Sequence, residues 1–304
     1  MAAIEATNLT KHYGDVKAVR GIDLHVETGS IHGFVGPNGA GKSTTMQMLV
    51  GAVTPTVGEA TIGGDPAGSH AARKRTGYAP QNPNFYESMT ADAYLRYMGR
   101  VAGVDGIGDR VAELLSWLDL DDAAGQSIGG YSGGMRRRLG LAQAMIHDPE
   151  LLILDEPTAE LDPQGRAAII DALENLASEG KTVFVSSHVL TELEQFIETV
   201  TVIDGGQVIT SGPLEELQSD AVRTYVVEST DDTRLRSALR ERACVRRVES
   251  HEEGGLVVTT EQQVQFETEL PAALHGAGIG IRSLRQRDGL EEAFLSMVGT
   301  GGGE

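Results

Sequence analysis

The chain has 304 residues, of which 40% are apolar. That is enough for packed cores and excludes whole-chain disorder, and the length fits about two domains. Twenty-five basic residues against 44 acidic ones leave a net charge of −19, and such a surface repels polyanions and argues against nucleic-acid binding. Only five of the basic residues are lysines. This acidic, lysine-poor composition fits a salt-rich cytoplasm and fits an arginine-favouring, GC-rich genome equally well. Cys244 is the only cysteine, so an intrachain disulfide and a thiolate metal cluster are excluded and a reducing cytosol is expected. The first residues carry Glu5 and no long apolar stretch, so no signal peptide is expected. No run approaches about 20 apolar residues, so any membrane role is expected to come through a partner.

In chain order, Ala3–Leu9 and Gly21–Glu27 alternate apolar and polar residues, which predicts half-buried antiparallel strands. Ser30–Val35 is a short apolar run. A Gly/Pro/Asn loop follows, then a helix from Lys42 to about Val50. Residues Met89–His147 are rich in Ala, Leu and Arg and predict helices, broken by the glycine-rich Gln126–Gly134. Leu151–Asp155 and Thr182–Ser186 are buried-strand candidates. The helical pattern Arg166–Glu179 lies between them and ends at Gly180. Strands alternating with helices imply a parallel sheet covered on both faces.

A boundary is expected near Gly212–Asp220, giving domains 1–219 and 220–304. Beyond it the pattern predicts strand Thr224–Glu228, helix Asp232–Arg242, strands Val245–Glu249 and Leu256–Thr260, helix Phe266–His275 and strand Ile279–Arg285. That βαββαβ order is ferredoxin-like. Its expected core includes Leu235, Leu239, Val257, Phe266, Leu270, Leu274, Phe294 and Leu295. A last amphipathic helix is expected at Leu290–Val298, and Gly301-Gly302-Gly303 is expected to fray.

Gly36-Pro37-Asn38-Gly39-Ala40-Gly41-Lys42-Ser43 matches the phosphate-binding loop pattern, placed between a strand and a helix. The glycines let successive backbone N–H groups point inward at phosphate oxygens. The helix adds its positive dipole end. Lys42 is placed to reach the β- and γ-phosphates, and Ser43 to offer a hydroxyl to Mg²⁺. Leu151-Leu152-Ile153-Leu154 is a strand ending in Asp155 and Glu156. Asp155 is expected to hold Mg²⁺ through water, at the strand end where ligands gather in open α/β sheets. Glu156, one residue on, is placed to polarise an attacking water.

Tyr131-Ser132-Gly133-Gly134-Met135 precedes this second strand. With the two motifs above, in this order, the chain resembles the ATP-binding subunit of ABC transporters, whose signature is Leu-Ser-Gly-Gly-Gln. Tyr131 and Met135 depart from that pattern, while the serine and both glycines are intact. Met135 followed by Arg136-Arg137-Arg138 resembles the exporter-type, drug-resistance branch. The resemblance covers about residues 1–219. It implies an α/β fold: a P-loop NTPase of ABC type with a mixed sheet core, an antiparallel β subdomain and a helical signature subdomain. The small C-terminal α+β domain follows as an accessory or regulatory unit.

The resemblance also implies roles. Tyr13 is expected to stack on adenine, and the ATP contacts are expected to run from Gly36 to Thr44. Gln81 is expected to touch Mg²⁺ and the attacking water, and His188 to sense the γ-phosphate. Ser132, Gly133, Gly134 and Met135 are expected to act in trans, on ATP held by a second copy or a homologue. The segment Ala159-Glu160-Leu161-Asp162 is expected to cross the dimer interface at Asp162. Phe85 and Tyr86, within the aromatic-rich Asn82–Arg100, are expected to touch a membrane partner. The implied activity is ATP hydrolysis that powers export by separate integral-membrane permease subunits. The chain would then sit in the cytoplasm, peripheral on the inner face of the cell membrane. The alternative is a soluble ATPase of the same type, acting as a mechanical or regulatory switch on a non-transport partner.

Overall fold

A computed structural model describes residues 2–159, 161–219, 223–240, 242–251, 254–260 and 262–287. The expected final helix Leu290–Val298, the Gly301–Gly303 end and Glu160 lie outside the described residues. The chain divides into two compact units, Met1–Gly212 and Pro213–Glu304.

In the first unit, β1 (Ala2–Tyr13) and β2 (Val16–Glu27) form an antiparallel hairpin in which Tyr13 pairs with Val16. The tight turn is made by Gly14, whose φ of 58° suits glycine. Both strands are longer than the alternation predicts, because the pattern blurs where register shifts interrupt the pairing. β4 (Val57–Ile62) and β5 (Asp65–Pro66) complete this sheet in the order β2-β1-β4-β5. Its inward residues Ile4, Leu9, Ile22 and Ile62 share one buried cluster with Phe34, Met46, Ile153 and Phe184.

Those last four residues belong to the central layer. β3 (Ile31–Val35) is buried along its whole length, as a strand covered on both faces must be. Helix α1 (Lys42–Leu49) follows it, and α2 (His70–Arg75) leads into β6 (Thr76–Ala79). Three helices come next, α3 (Ala91–Val101), α4 (Ile107–Trp117) and α5 (Gly133–Met145). They share an apolar interior that includes Leu95, Val111, Leu114 and Leu139. β7 (Leu151–Leu154), α6 (Pro163–Ser178), β8 (Thr182–Ser187), α7 (Leu190–Leu193), β9 (Thr199–Asp204) and β10 (Gln207–Pro213) complete the unit.

The six-stranded sheet has the order β10-β9-β3-β8-β7-β6. β3 runs parallel to both β8 and β9, and β7 runs parallel to β6 and β8. The chain therefore leaves β3 and returns on either side of it. In open α/β sheets such a switch point opens a crevice at the carboxyl ends of the strands. The loops after β3, β6, β7 and β8 all leave from that edge.

The second unit opens with α8 (Leu214–Ser219) and then runs β11 (Arg223–Ser229), α9 (Asp232–Arg240), β12 (Arg247–Ser250), β13 (Leu256–Thr260), α10 (Gln263–Ala277) and β14 (Ile281–Arg287). The sheet order is β12-β13-β11-β14, with every pair antiparallel. This is the βαββαβ succession read from the sequence. Its core joins Tyr225, Val227, Leu235, Leu239, Leu256, Val258, Phe266, Leu270 and Leu274. Val257 is a correction. The strand's period of two turns Leu256, Val258 and Thr260 inward and leaves Val257 half-buried on the other face. Phe294 and Leu295 lie outside the described residues.

Candidate active site

The loop from Gly36 to Ser43 links the end of β3 to the start of α1. Its glycines are required by geometry. A Cβ on Gly36 would stand 2.2 Å from the Ile203 carbonyl oxygen, and one on Gly41 would stand 2.6 Å from that of Ala18. Gly39 and Gly41 have φ of 84° and 105°, backbone that side chains resist. Among the described residues nothing lies within 4 Å of a Cβ built on Gly39, so that side of the loop is open to them. Gly41 occupies the N-cap of α1 and offers no side-chain cap. The first amides of α1 have no carbonyl one turn back to bond. The result is an open concavity of N–H groups with a helix dipole behind it, which suits an anion.

Lys42 is 5% exposed. Its Nζ donates to the carbonyl oxygens of Gly36 at 2.7 Å and Pro37 at 3.2 Å, so the ammonium lies against the loop. It also stands 3.2 Å from Glu156 Oε1. Ser43 and Thr44 follow in the first turn of α1, both half-buried.

Asp155 and Glu156 end β7 and are buried at 3% and 6% exposure. Asp155 Oδ1 accepts from the Ser186 hydroxyl at 2.8 Å, and the same Oγ accepts the Glu156 N–H at 3.0 Å. No basic side chain among the described residues pairs with Asp155. A buried carboxylate with one hydroxyl donor is a donor set suited to a hard cation. Burial first, and the Asp155 charge second, push the Tyr78 hydroxyl up to about 12, so that phenol stays protonated.

Glu156 has a φ of 49°. For a residue other than glycine that conformation costs about 1 kcal/mol or more and is found where surrounding contacts enforce it. Here they do. Besides Lys42, the carboxylate is held at Oε2 by His188 Nδ1 at 2.8 Å and by Gln81 Nε2 at 3.4 Å. His188 comes from the loop after β8 and Gln81 from the loop after β6. Three segments thus converge on the carboxylate that a fourth carries.

The remaining expected residues stand apart from this constellation. Ser132 caps α5, its Oγ accepting the Met135 N–H at 3.3 Å. Among the described residues nothing lies within 4 Å of a Cβ built on Gly133. Asp162 caps α6, with Oδ1 accepting the Gly165 N–H at 2.7 Å. Ser132, Gly133, Gly134 and Asp162 line one recess of about 570 Å³. Tyr13 is 47% exposed at the hairpin tip, with Lys11 Nζ 5.1 Å from its ring centre. Phe85, Tyr86, Tyr94 and Tyr97 form one edge-to-face chain of rings. Tyr94 is its buried anchor, while Tyr86 is 60% exposed.

Two residues of this region escape sequence reasoning. Ser186 is fully buried and bridges Asp155 to Glu156. The available signal was a pair of serines closing the apolar strand before His188. Arg137, on α5, donates to the backbone carbonyl of Gln81. Nothing in its arginine run marks it out from Arg136 and Arg138.

A glycine-lined anion loop, a strand ending in two buried carboxylates and a parallel sheet with a switch point define a P-loop ATPase. The family comparison is narrower. The ABC transporter family model matches residues 19–159. Nod factor export ATP-binding protein I of Cupriavidus metallidurans is 40% identical over 304 residues, covering 98% of both chains. The linearmycin resistance ATP-binding protein of Bacillus subtilis is 34% identical and covers 97% of this chain and 98% of its own. Among solved structures, a dimeric bacterial ABC transporter cassette superposes with a TM-score of 0.65 at 26% identity, over 69% of this chain and 98% of that one. A dimeric cassette bound to ADP and Pi gives 0.64 at 25% identity, with the same coverage. The chain belongs to the ATP-binding subunits of ABC transporters, and it is an ATPase.

Proposed function

We propose that this ATPase powers export through separate integral-membrane permease subunits. It would do so as a pair with a second copy or a homologue, at the cytoplasmic face of the membrane. The observation that carries the catalytic part is the Glu156 carboxylate, gathered by Lys42, His188 and Gln81 beside the open phosphate loop. The direction of transport rests on relatives named for export and for drug resistance that align over nearly the whole chain, second unit included.

Lys42 and the loop from Gly36 to Thr44, through its backbone N–H groups at positions other than Pro37, hold the phosphates, and Tyr13 presents its exposed ring to adenine. Mg²⁺ fits Ser43, Gln81 and Asp155, where it would neutralise charge on the β- and γ-phosphates. Glu156 draws the proton from the attacking water. His188 fixes the rotamer of Glu156 and stands ready beside the terminal phosphate. No described residue gives Gly133 a steric reason to be glycine, which supports close approach by another molecule. Ser132, Gly133, Gly134 and Met135 serve the partner subunit's ATP, and Asp162 serves the crossing between subunits. Hydrolysis then removes the charge that holds the two subunits together.

The test is co-expression with candidate permeases, followed by membrane fractionation and uptake into inside-out vesicles. ATP-dependent accumulation that disappears with Glu156→Gln supports the reading. An ATPase that stays off membranes with every permease partner, and moves no solute, overturns it.

A further inference from the structure

We propose that the second unit carries an anion site that recognises a phosphate group, built from arginines at the sheet edge. A recess of about 510 Å³ lies between the C-terminal part of α9 and the edge strand β12. Arg236, Arg240, Arg246, Arg247, Glu249 and Ser250 line it. Four arginines and one glutamate are thus among the described residues that line it.

The cluster runs against the composition. The chain carries a net charge of −19, yet residues 236–250 hold five arginines and two glutamates. The second unit has half of the chain's arginines and none of its lysines. Arginine differs from lysine in offering a planar fork of donors that matches phosphate oxygens in pairs.

Of these arginines, Arg236, Arg240 and Arg247 differ in how their donors are used. Arg247 pairs with Glu249 at 2.7 Å. Arg236 donates from Nη2 to Ser250 Oγ, which fixes its orientation. Its Nε is out of water and has no hydrogen-bond partner among the described residues. An unbonded buried N–H costs free energy that a solvated surface arginine does not bear. Arg240 forms no ion pair among the described residues. It lies in the last turn of α9, where a cation also answers the helix dipole. That accounts for Arg240 and not for Arg236 or Arg247. A group with two negative charges and several acceptor oxygens would relieve the crowding of like charge. The recess is larger than one phosphate, so it also admits the group that bears it.

The phosphate could be free in solution or displayed on a lipid headgroup, and the test separates the two. Hydrogen–deuterium exchange is read on the full chain, with peptides covering residues 236–250. One arm adds inorganic pyrophosphate and the other adds vesicles containing phosphatidate, both against chloride at matched ionic strength. Residues 36–43 serve as an internal control in the pyrophosphate arm. The expected result is slower exchange over 236–250 in at least one arm. Protection by pyrophosphate assigns a free ligand, and protection by vesicles alone assigns a membrane surface. Arg236→Gln should raise the ligand concentration needed by about tenfold, the loss of one charge-assisted pair of bonds. Glu249→Gln should lower it by about threefold, a gain that misfolding cannot mimic. No protection in either arm, equal protection by chloride, or protection unchanged in both variants overturns the site.

Discussion

Oε2 of Glu156 lies 2.8 Å from Nδ1 of His188, joining the end of β7 to the loop after β8. Oε1 of the same carboxylate faces the Lys42 ammonium. One side chain thus connects the phosphate loop to the two strands whose carboxyl ends border the crevice. Glu156→Gln keeps the shape and removes the base. Turnover should fall by about 100-fold or more, while ATP binding survives and an ATP-held dimer accumulates. Phosphate release and size-exclusion chromatography with ATP and Mg²⁺ check this. A monomer at saturating ATP with near-normal hydrolysis would sink the assignment.

Ser186→Ala removes the hydroxyl that serves both carboxylate residues. It leaves the Glu156 N–H and the Asp155 carboxylate short of a partner in a buried place. The expected cost is about 1–3 kcal/mol of stability. Asp155 would also lose its orientation, so the Mg²⁺ concentration for half-maximal turnover should rise. Thermal unfolding and a Mg²⁺ titration of the ATPase are the measurements. Unchanged values in both would show that Ser186 only fills space.

The contrast between Glu156 and Ser186 shows what was legible in the sequence. Glu156 stood out because a run of four apolar residues ending in two acids has few meanings beside a phosphate loop. Ser186 did not, because one hydroxyl in a strand gains its role only when β8 is laid beside β7. The second unit was legible for a different reason. Leu256–Thr260 is bounded by Gly255 and a polar stretch, and the structure places β13 on those same residues. β4 and β5 were missed, being short, half-exposed and rich in glycine, threonine and proline. β4 is paired by β1, far away in sequence, and β5 then pairs with β4. The turn chemistry of the loops could be read locally, whereas side chains that meet across strands could not.

Arg137 is a positioning residue by the same logic. It reaches from α5, the helix headed by Ser132, to the carbonyl of Gln81. Gln81 in turn reaches Glu156 at 3.4 Å. Arg137→Ala should lower kcat by about tenfold and leave ATP affinity within about twofold, since no phosphate contact is lost. Arg137→Lys should restore part of the rate, because one donor can still reach the carbonyl. A change in KM for ATP with unchanged kcat would count against this role.

His32 makes the folded state sensitive to acid. It is buried on β3, with Nε2 2.9 Å from Thr201 Oγ1 and Nδ1 2.8 Å from Thr199 Oγ1. Burial, and to a smaller extent the charge of His25, lower its pKa from 6.5 to about 4. The neutral ring is the one the fold accepts. Stability from this residue is therefore complete above pH 6.5 and is lost as the pH falls toward 4. The full loss is about 3 kcal/mol. His147 is lowered too, by burial, so the comparison must be made between variants. Urea unfolding at pH 7.5 and pH 5 should show a steeper fall for the parent chain than for His32→Gln. Equal slopes would remove His32 as the cause.

The last prediction concerns the second unit as a regulator. Its buried residues form a cluster of their own around Val227, Leu256 and Phe266. None of the residues assigned to phosphate, metal or water lies in it. Among the described residues no group of His, Cys, Asp and Glu is arranged to hold a metal. A chain ending at Ser219 keeps β10 whole and removes the sheet β12-β13-β11-β14. The catalytic constellation is built entirely from the loops after β3, β6, β7 and β8, so ATP affinity should stay within about twofold of the full chain. Turnover, or the ATP-dependent dimer, is expected to change, since the 85 residues removed include a core of their own and none of the groups assigned to catalysis. Nucleotide titration, size-exclusion chromatography and phosphate release on the two chains make the comparison. Loss of ATP binding in a truncated chain that still melts cooperatively would show that the division into a catalytic and a tuning unit is wrong. Identical turnover and dimerisation would instead show that the second unit serves something other than the ATPase.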